Sequence, residues 1–153
     1  MLSLTFQSPI EPANAGLFKC AGFGRHPTRT LSSHEIIFVS QGKLGMFEED
    51  REFNLETGDA LLLYPNRKHD GTLDYPEDLS FYWLHFSLAN PANQEGLELS
   101  VPQVTHLENP NRLRVLFRRY LDDQETGFID PARASLLVLL MLDEMANGAA
   151  RPS

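Results

Sequence analysis

Two stretches decide how this chain is read: Glu35-Ile-Ile-Phe-Val-Ser-Gln-Gly42, and Gly58-Asp-Ala-Leu-Leu-Leu-Tyr-Pro65-Asn-Arg-Lys-His69. The first is a β-branched and aromatic run closed by a Gln-Gly turn, which spells a strand. In the second, Ala60–Tyr64 is nearly all apolar, as a strand buried on both faces should be. Between them, Lys43–Glu48 reads as a strand, Glu49-Asp50 as a hairpin turn and Arg51–Leu55 as the returning strand. Pro65 to Lys68 breaks the chain again, and Leu79–Leu88 is the last long strand. Several short strands spaced by turns indicate a sandwich or barrel over residues 29–107. A short strand at Gln103–Leu107 ends it.

Outside that run the periods change. Residues 1–28 hold Pro9, Pro12, Asn14, Gly16, Gly22, Gly24 and Pro27. So many breakers make this stretch an arm, with short strands at most over Leu4–Gln7 and Leu17–Ala21. Residues 108–148 read as a helical hairpin. Asn109-Pro110 opens one helix, whose Leu113, Leu116, Phe117, Tyr120 and Leu121 share a face, and Gly127 ends it. Asp130 caps a second helix with Pro131 in its first turn, and Asn147-Gly148 stops it. Residues 149–153 read as a linker stub.

Leu136 to Leu142 is an unbroken apolar run. Successive helical residues turn by about 100°, so the run points in every direction. A helix apolar all round must be covered all round. One face can lie on the barrel and the first helix, and a second subunit is expected over the other. Leu136, Leu137, Leu140 and Met141 are the expected contacts of a homodimer.

Composition narrows the function. The chain has 153 residues, 42% hydrophobic and 22% charged, which suits one globular domain. The formal charge of −8 leaves no basic surface for nucleic acid. A single cysteine, Cys20, excludes a disulfide framework and a Cys-rich zinc site. The first residues carry no signal-peptide pattern, and the apolar run is too short to span a bilayer. A cytoplasmic location and no membrane contact are expected.

Glu35, six residues, then Gly42 resembles the end of the first cupin motif. Gly58 to His69 resembles the second, with Tyr64 for its Pro and Asn66 for its Gly. Gly58–Pro65, Phe81-Tyr-Trp-Leu-His-Phe86 and the two trailing helices are together similar to the regulatory domain of AraC-type transcription factors. That resemblance covers roughly residues 15–148. It implies a mainly β fold with C-terminal helices: a cupin-like double-stranded β-helix, the jelly-roll barrel, followed by two α-helices. It also implies a small-molecule effector, often a sugar, an arm that folds over it, and a dimer. DNA would be bound only through a helix-turn-helix domain not present here.

Catalytic cupins hold a metal with three His and a Glu. The first two His positions fall here on Arg29 and Leu31, so no metal, no cofactor and no catalytic residues are expected. Strand alternation puts Ile37 and Val39 on the face of Glu35, and Phe81, Trp83 and His85 on one face of the last strand. Arg29, Glu35, His69, Phe81, Trp83 and His85 are therefore the candidate ligand-binding residues, with Arg25 and Tyr64 weaker candidates near the mouth. His34 should face outward. An indole face with directional hydrogen-bonding groups suits a sugar or similar polyol. The resemblance places a sugar-stacking Trp at Trp83. Arg112, Arg114, Arg118 and Arg119 read as the solvated face of the first helix. A metal-dependent cupin enzyme (a sugar isomerase or dioxygenase) and a ligandless dimerisation module are the alternatives.

Overall fold

The structure is a computed structural model that describes residues 1–89 and 96–150. Nine strands precede two helices: β1 (Ile10–Lys19), β2 (Arg29–Thr30), β3 (His34–Gln41), β4 (Leu44–Glu48), β5 (Arg51–Leu55), β6 (Asp59–Leu63), β7 (Lys68–Gly71), β8 (Ser80–Leu88), β9 (Val104–His106), α1 (Pro110–Glu125) and α2 (Pro131–Asn147). A five-stranded sheet runs β1-β8-β3-β6-β9 and a four-stranded sheet runs β2-β7-β4-β5. Neighbouring strands are antiparallel throughout. This is the cupin-like β-rich fold followed by two helices.

The five-stranded sheet is covered on both faces. Ile36, Phe38, Leu62, Tyr82, Leu84 and Phe86 join residues of α1 and α2 in one core. Ile37, Val39, Leu61, Leu63 and Phe81 join Leu44, Met46, Phe53 and Leu55 of the second sheet in another. Alternate residues of β3, β6 and β8 thus serve different cores, which is the period-two rule at work. It is also why Ala60–Leu63 has no polar residue to spare.

The turns of the second motif take the backbone its residues allow. Gly58 has φ +93° and Asn66 has φ +63°. Asn is one of the few side chains that tolerates that region, so it replaces glycine here at little cost. The Asn66 N–H donates to the Leu31 carbonyl at 2.7 Å, tying the two motifs together.

Three expectations change. Residues 10–19 form a strand, not part of an arm, while Leu4–Gln7 pairs with nothing and is no strand. β1 lies at the sheet edge and is bulged between Pro12 and Ala15. An edge strand with a bulge tolerates the breakers that argued against a strand. β2 and β7 escaped notice because they are short and lie among turn residues. Finally, Leu137 and Met141 are buried in the core beneath α2 and are withdrawn from the subunit contact. Leu136 and Leu140 stay 45% and 49% exposed. Asn90-Pro91 and residues 151–153 of the linker stub lie outside the described residues.

The helices end as their residues demand. Asp130 accepts from the Arg133 N–H at 3.3 Å, Pro131 follows it, and Gly148 is the C-cap of α2. Phe117 of α1 is fully buried against Phe38 and Tyr82. No helix among the described residues is long and apolar enough to cross a membrane. Phe117→Ala should lower unfolding stability by about 3–5 kcal/mol in denaturant titration. Asp130→Ala should cost only about 1 kcal/mol. Equal small losses would mean that α1 is not docked on the sheet.

Candidate ligand-binding site

The inner face of the five-stranded sheet is apolar except where β3 and β8 put Glu35 beside His85 and Ile37 beside Trp83. From the second sheet, β7 brings His69 to the same place, paired in register with Arg29 of β2. Five expected residues therefore gather: Glu35, His69, Phe81, Trp83 and His85. Glu35 and His69 are buried and His85 nearly so. Arg29 is solvent-exposed and reaches the group through its charge.

Glu35 sits between two imidazoles. Its Oε2 is 3.8 Å from His69 Nε2, and its Oε1 is 3.8 Å from His85 Nε2. Both gaps exceed hydrogen-bond length. Glu35 Oε2 and His69 Nε2 are buried and have no hydrogen-bond partner among the described residues. A buried polar atom without a partner costs about 1–3 kcal/mol, so such atoms require an explanation. His85 is oriented from its other side by Ser33 Oγ, 3.4 Å from Nδ1.

Trp83 lies flat on the backbone of β1. A Cβ added at Gly16 would come within 2.5 Å of the indole Cζ2, so glycine is required there. The Trp83 and His85 rings are 5.3 Å apart. Phe18 stacks on Phe81 at 5.0 Å and meets Tyr75 at the same distance, closing the apolar side.

His26 was not foreseen as a site residue. It is buried, with its ring 5.5 Å from His69 and 6.3 Å from Phe81. The Gly71 N–H donates to its carbonyl at 3.3 Å, and a Cβ at Gly71 would stand 2.9 Å from the His26 nitrogen. His26 lies in a stretch without strand or helix period, so no local pattern announces it. Tyr64 and Arg25, in contrast, are not at the site. Tyr64 packs on the helix-side core beneath Arg67, and Arg25 bonds Asp74. His34 stacks on Phe86, on the opposite face from Glu35, as alternation required.

Burial makes this cluster nearly uncharged. Desolvation raises the Glu35 carboxyl from its ordinary 4.5 to about 7, against the pull of Arg29. Desolvation, assisted by Arg29, holds His69 and His85 below the usual imidazole value. Desolvation takes His26 down to about 4. Its Nδ1 lies 3.0 Å from the Pro27 carbonyl, which can only accept, so Nδ1 holds the proton and Nε2 is a bare acceptor. Near neutral pH the cluster offers neutral imidazoles and a carboxyl that passes between its protonated and ionised forms.

The cupin fold raises the question of a metal, and these residues do not fit one. Arg29 and Leu31 occupy two ligand positions of the motif, and the Arg29 charge opposes a cation. Among the described residues, no group of three or more His, Cys, Asp or Glu is placed to hold an ion.

The Glu35 shift has a sign in stability. Its folded pKa lies above its unfolded one, so its contribution is full below pH 4.5 and is lost as pH rises through about 7. The lowered histidines act oppositely, contributing above their ordinary 6.5 and losing it as pH falls. Glu35→Gln removes only the first effect. Relative to the parent, the variant should gain up to about 3 kcal/mol between those pH limits in chemical denaturation. A flat difference would mean that Glu35 titrates normally.

The model of the AraC-like ligand binding domain matches residues 12–142. An uncharacterized HTH-type transcriptional regulator of Bacillus subtilis, YisR, is 39% identical over 74 residues, covering 48% of this chain and 25% of that protein. The chain thus matches about a quarter of the length of this curated relative. Among solved structures, the cupin domain of Schizosaccharomyces pombe Cnp3 is 12% identical, with a TM-score of 0.42 over 56% of this chain and 69% of that one. A Bacteroides fragilis cupin protein is 16% identical, with a TM-score of 0.38 over 60% and 75%. With the family model matching most of its length, this chain belongs to the AraC-like ligand binding domains.

Proposed function

We propose that this chain is the sensor of a transcription regulator and binds a neutral polyhydroxylated molecule of the sugar class in its barrel. The observation that carries the reading is the pair of orphaned buried atoms, Glu35 Oε2 and His69 Nε2, in the inner core of the barrel beside Trp83. A weakly charged cluster of donors and acceptors beside an indole face suits hydroxyls above one C–H-rich ring face. Ligand-binding residues are Glu35, His69, Trp83 and His85, with Phe81 as apolar wall and Arg29 at the rim. The chain does no catalysis. It works in the cytoplasm, and DNA is bound by a helix-turn-helix domain outside this chain. The name of the B. subtilis relative supports that last point.

Two copies pair through the exposed side of α2, where Leu136 and Leu140 stand free. In sedimentation equilibrium, Leu136→Asp with Leu140→Asp should give a monomer. An unchanged dimer would move the contact elsewhere.

A thermal-shift screen against monosaccharides and disaccharides tests the ligand. A sugar at 100 times its Kd should stabilise the domain by about 2.7 kcal/mol, a shift of a few degrees. The shift should survive chelator and vanish in Trp83→Ala. Silence from every sugar, with stability lost on chelation, would overturn this reading in favour of a metal enzyme.

A further inference from the structure

β1 carries the cavity on one side and the helices on the other, and two adjacent residues divide that work. Gly16 gives Trp83 its bed: a Cβ there would stand 2.5 Å from Cζ2, 2.6 Å from Cε2 and 2.8 Å from Nε1. One residue earlier, both backbone groups of Ala15 are held by α1. The Ala15 N–H donates to Gln124 Oε1 at 3.0 Å, and Gln124 Nε2 donates to the Ala15 carbonyl at 2.8 Å. The Tyr120 hydroxyl donates to the Ala13 carbonyl at 2.5 Å, inside the bulge. An edge strand presents free backbone groups on its outer side. A Gln side chain carries the same donor and acceptor as a peptide, so Gln124 serves β1 as a one-residue neighbouring strand.

We propose that Gln124 is a positioning residue for Trp83: by gripping Ala15 it holds Gly16 against the indole and ties the helical hairpin to it. The consequence for signalling rests on the sensor reading. A ligand that touches the indole acts on β1 and, through it, on the Gln124 clamp. Coupling of this kind is reciprocal, so a shift of α1 changes affinity in the cavity.

The test needs no ligand, because Trp83 is the only tryptophan. Its emission and its quenching by acrylamide report the cavity wall directly. Gln124→Leu keeps the bulk and removes both bonds. It should shift the emission to longer wavelength and raise quenching, with an unchanged far-ultraviolet circular dichroism spectrum. Tyr120→Phe, which removes one hydroxyl, should move both in the same direction by less, and it carries the test if Gln124→Leu does not fold. Arg112→Ala cuts the 2.9 Å bond to Glu144 between the helices without touching β1 and should leave both readings at the parent value. Parent emission and quenching in folded Gln124→Leu and Tyr120→Phe would overturn the proposal, as would an equal shift in Arg112→Ala. A sugar screen that finds nothing would sink the sensor reading and leave this positioning result standing.

Discussion

A sheet buried on both faces constrains almost everything else in this molecule. β3, β6 and β8 must satisfy the helices on one side and the second sheet on the other, so the middle of each strand is largely apolar. Polar groups on the inner face are expensive there, and Glu35 and His85 are the clear exceptions. Their burial, more than any charge beside them, explains the perturbed titration of the whole cluster. Burial against the sheet takes one face of α2, including Leu137, Val138, Met141, Leu142 and Met145, and leaves Leu136 and Leu140 outside.

Charge in the cavity is decided by desolvation more than by pairing. Arg29 favours an ionised Glu35, yet from the exposed end of a two-residue strand its charge is heavily screened by water. Burial wins, and the carboxyl rises. The imidazoles move the other way for the same reason. The result is a region rich in hydrogen-bonding atoms and poor in net charge.

Much of this was legible in the sequence. The Glu35 and Gly58 motifs, the alternation in β3 and β8, and the Pro and Asp signals at both helix starts depend on local chemistry that the chain displays openly. Five of six candidate residues gather at one place because strand alternation determines which face each occupies. What stayed hidden depends on distant contacts. β1 looks like an arm because edge strands tolerate Pro, Asn and Gly, and its pairing with β8 spans some seventy residues of chain. His26 has no periodic context, and its place is set by Gly71 across the barrel. The inward turn of Leu137 and Met141 could not be read from a run apolar on every side. Only the direction of the sheet beneath the helix settles which leucines remain outside.

The account stands on a buried, weakly charged cluster built around Glu35. The most direct measurement is the carbon-13 titration of the glutamate side-chain carboxyls, with Glu35→Gln to assign the resonance. One carboxyl should titrate near 7 and be missing in the variant, far from the other glutamates. If the assigned Glu35 resonance instead titrates near the ordinary 4.5, the carboxylate is charged at neutral pH. The cluster is then anionic beside Arg29, and desolvation does not govern its charge.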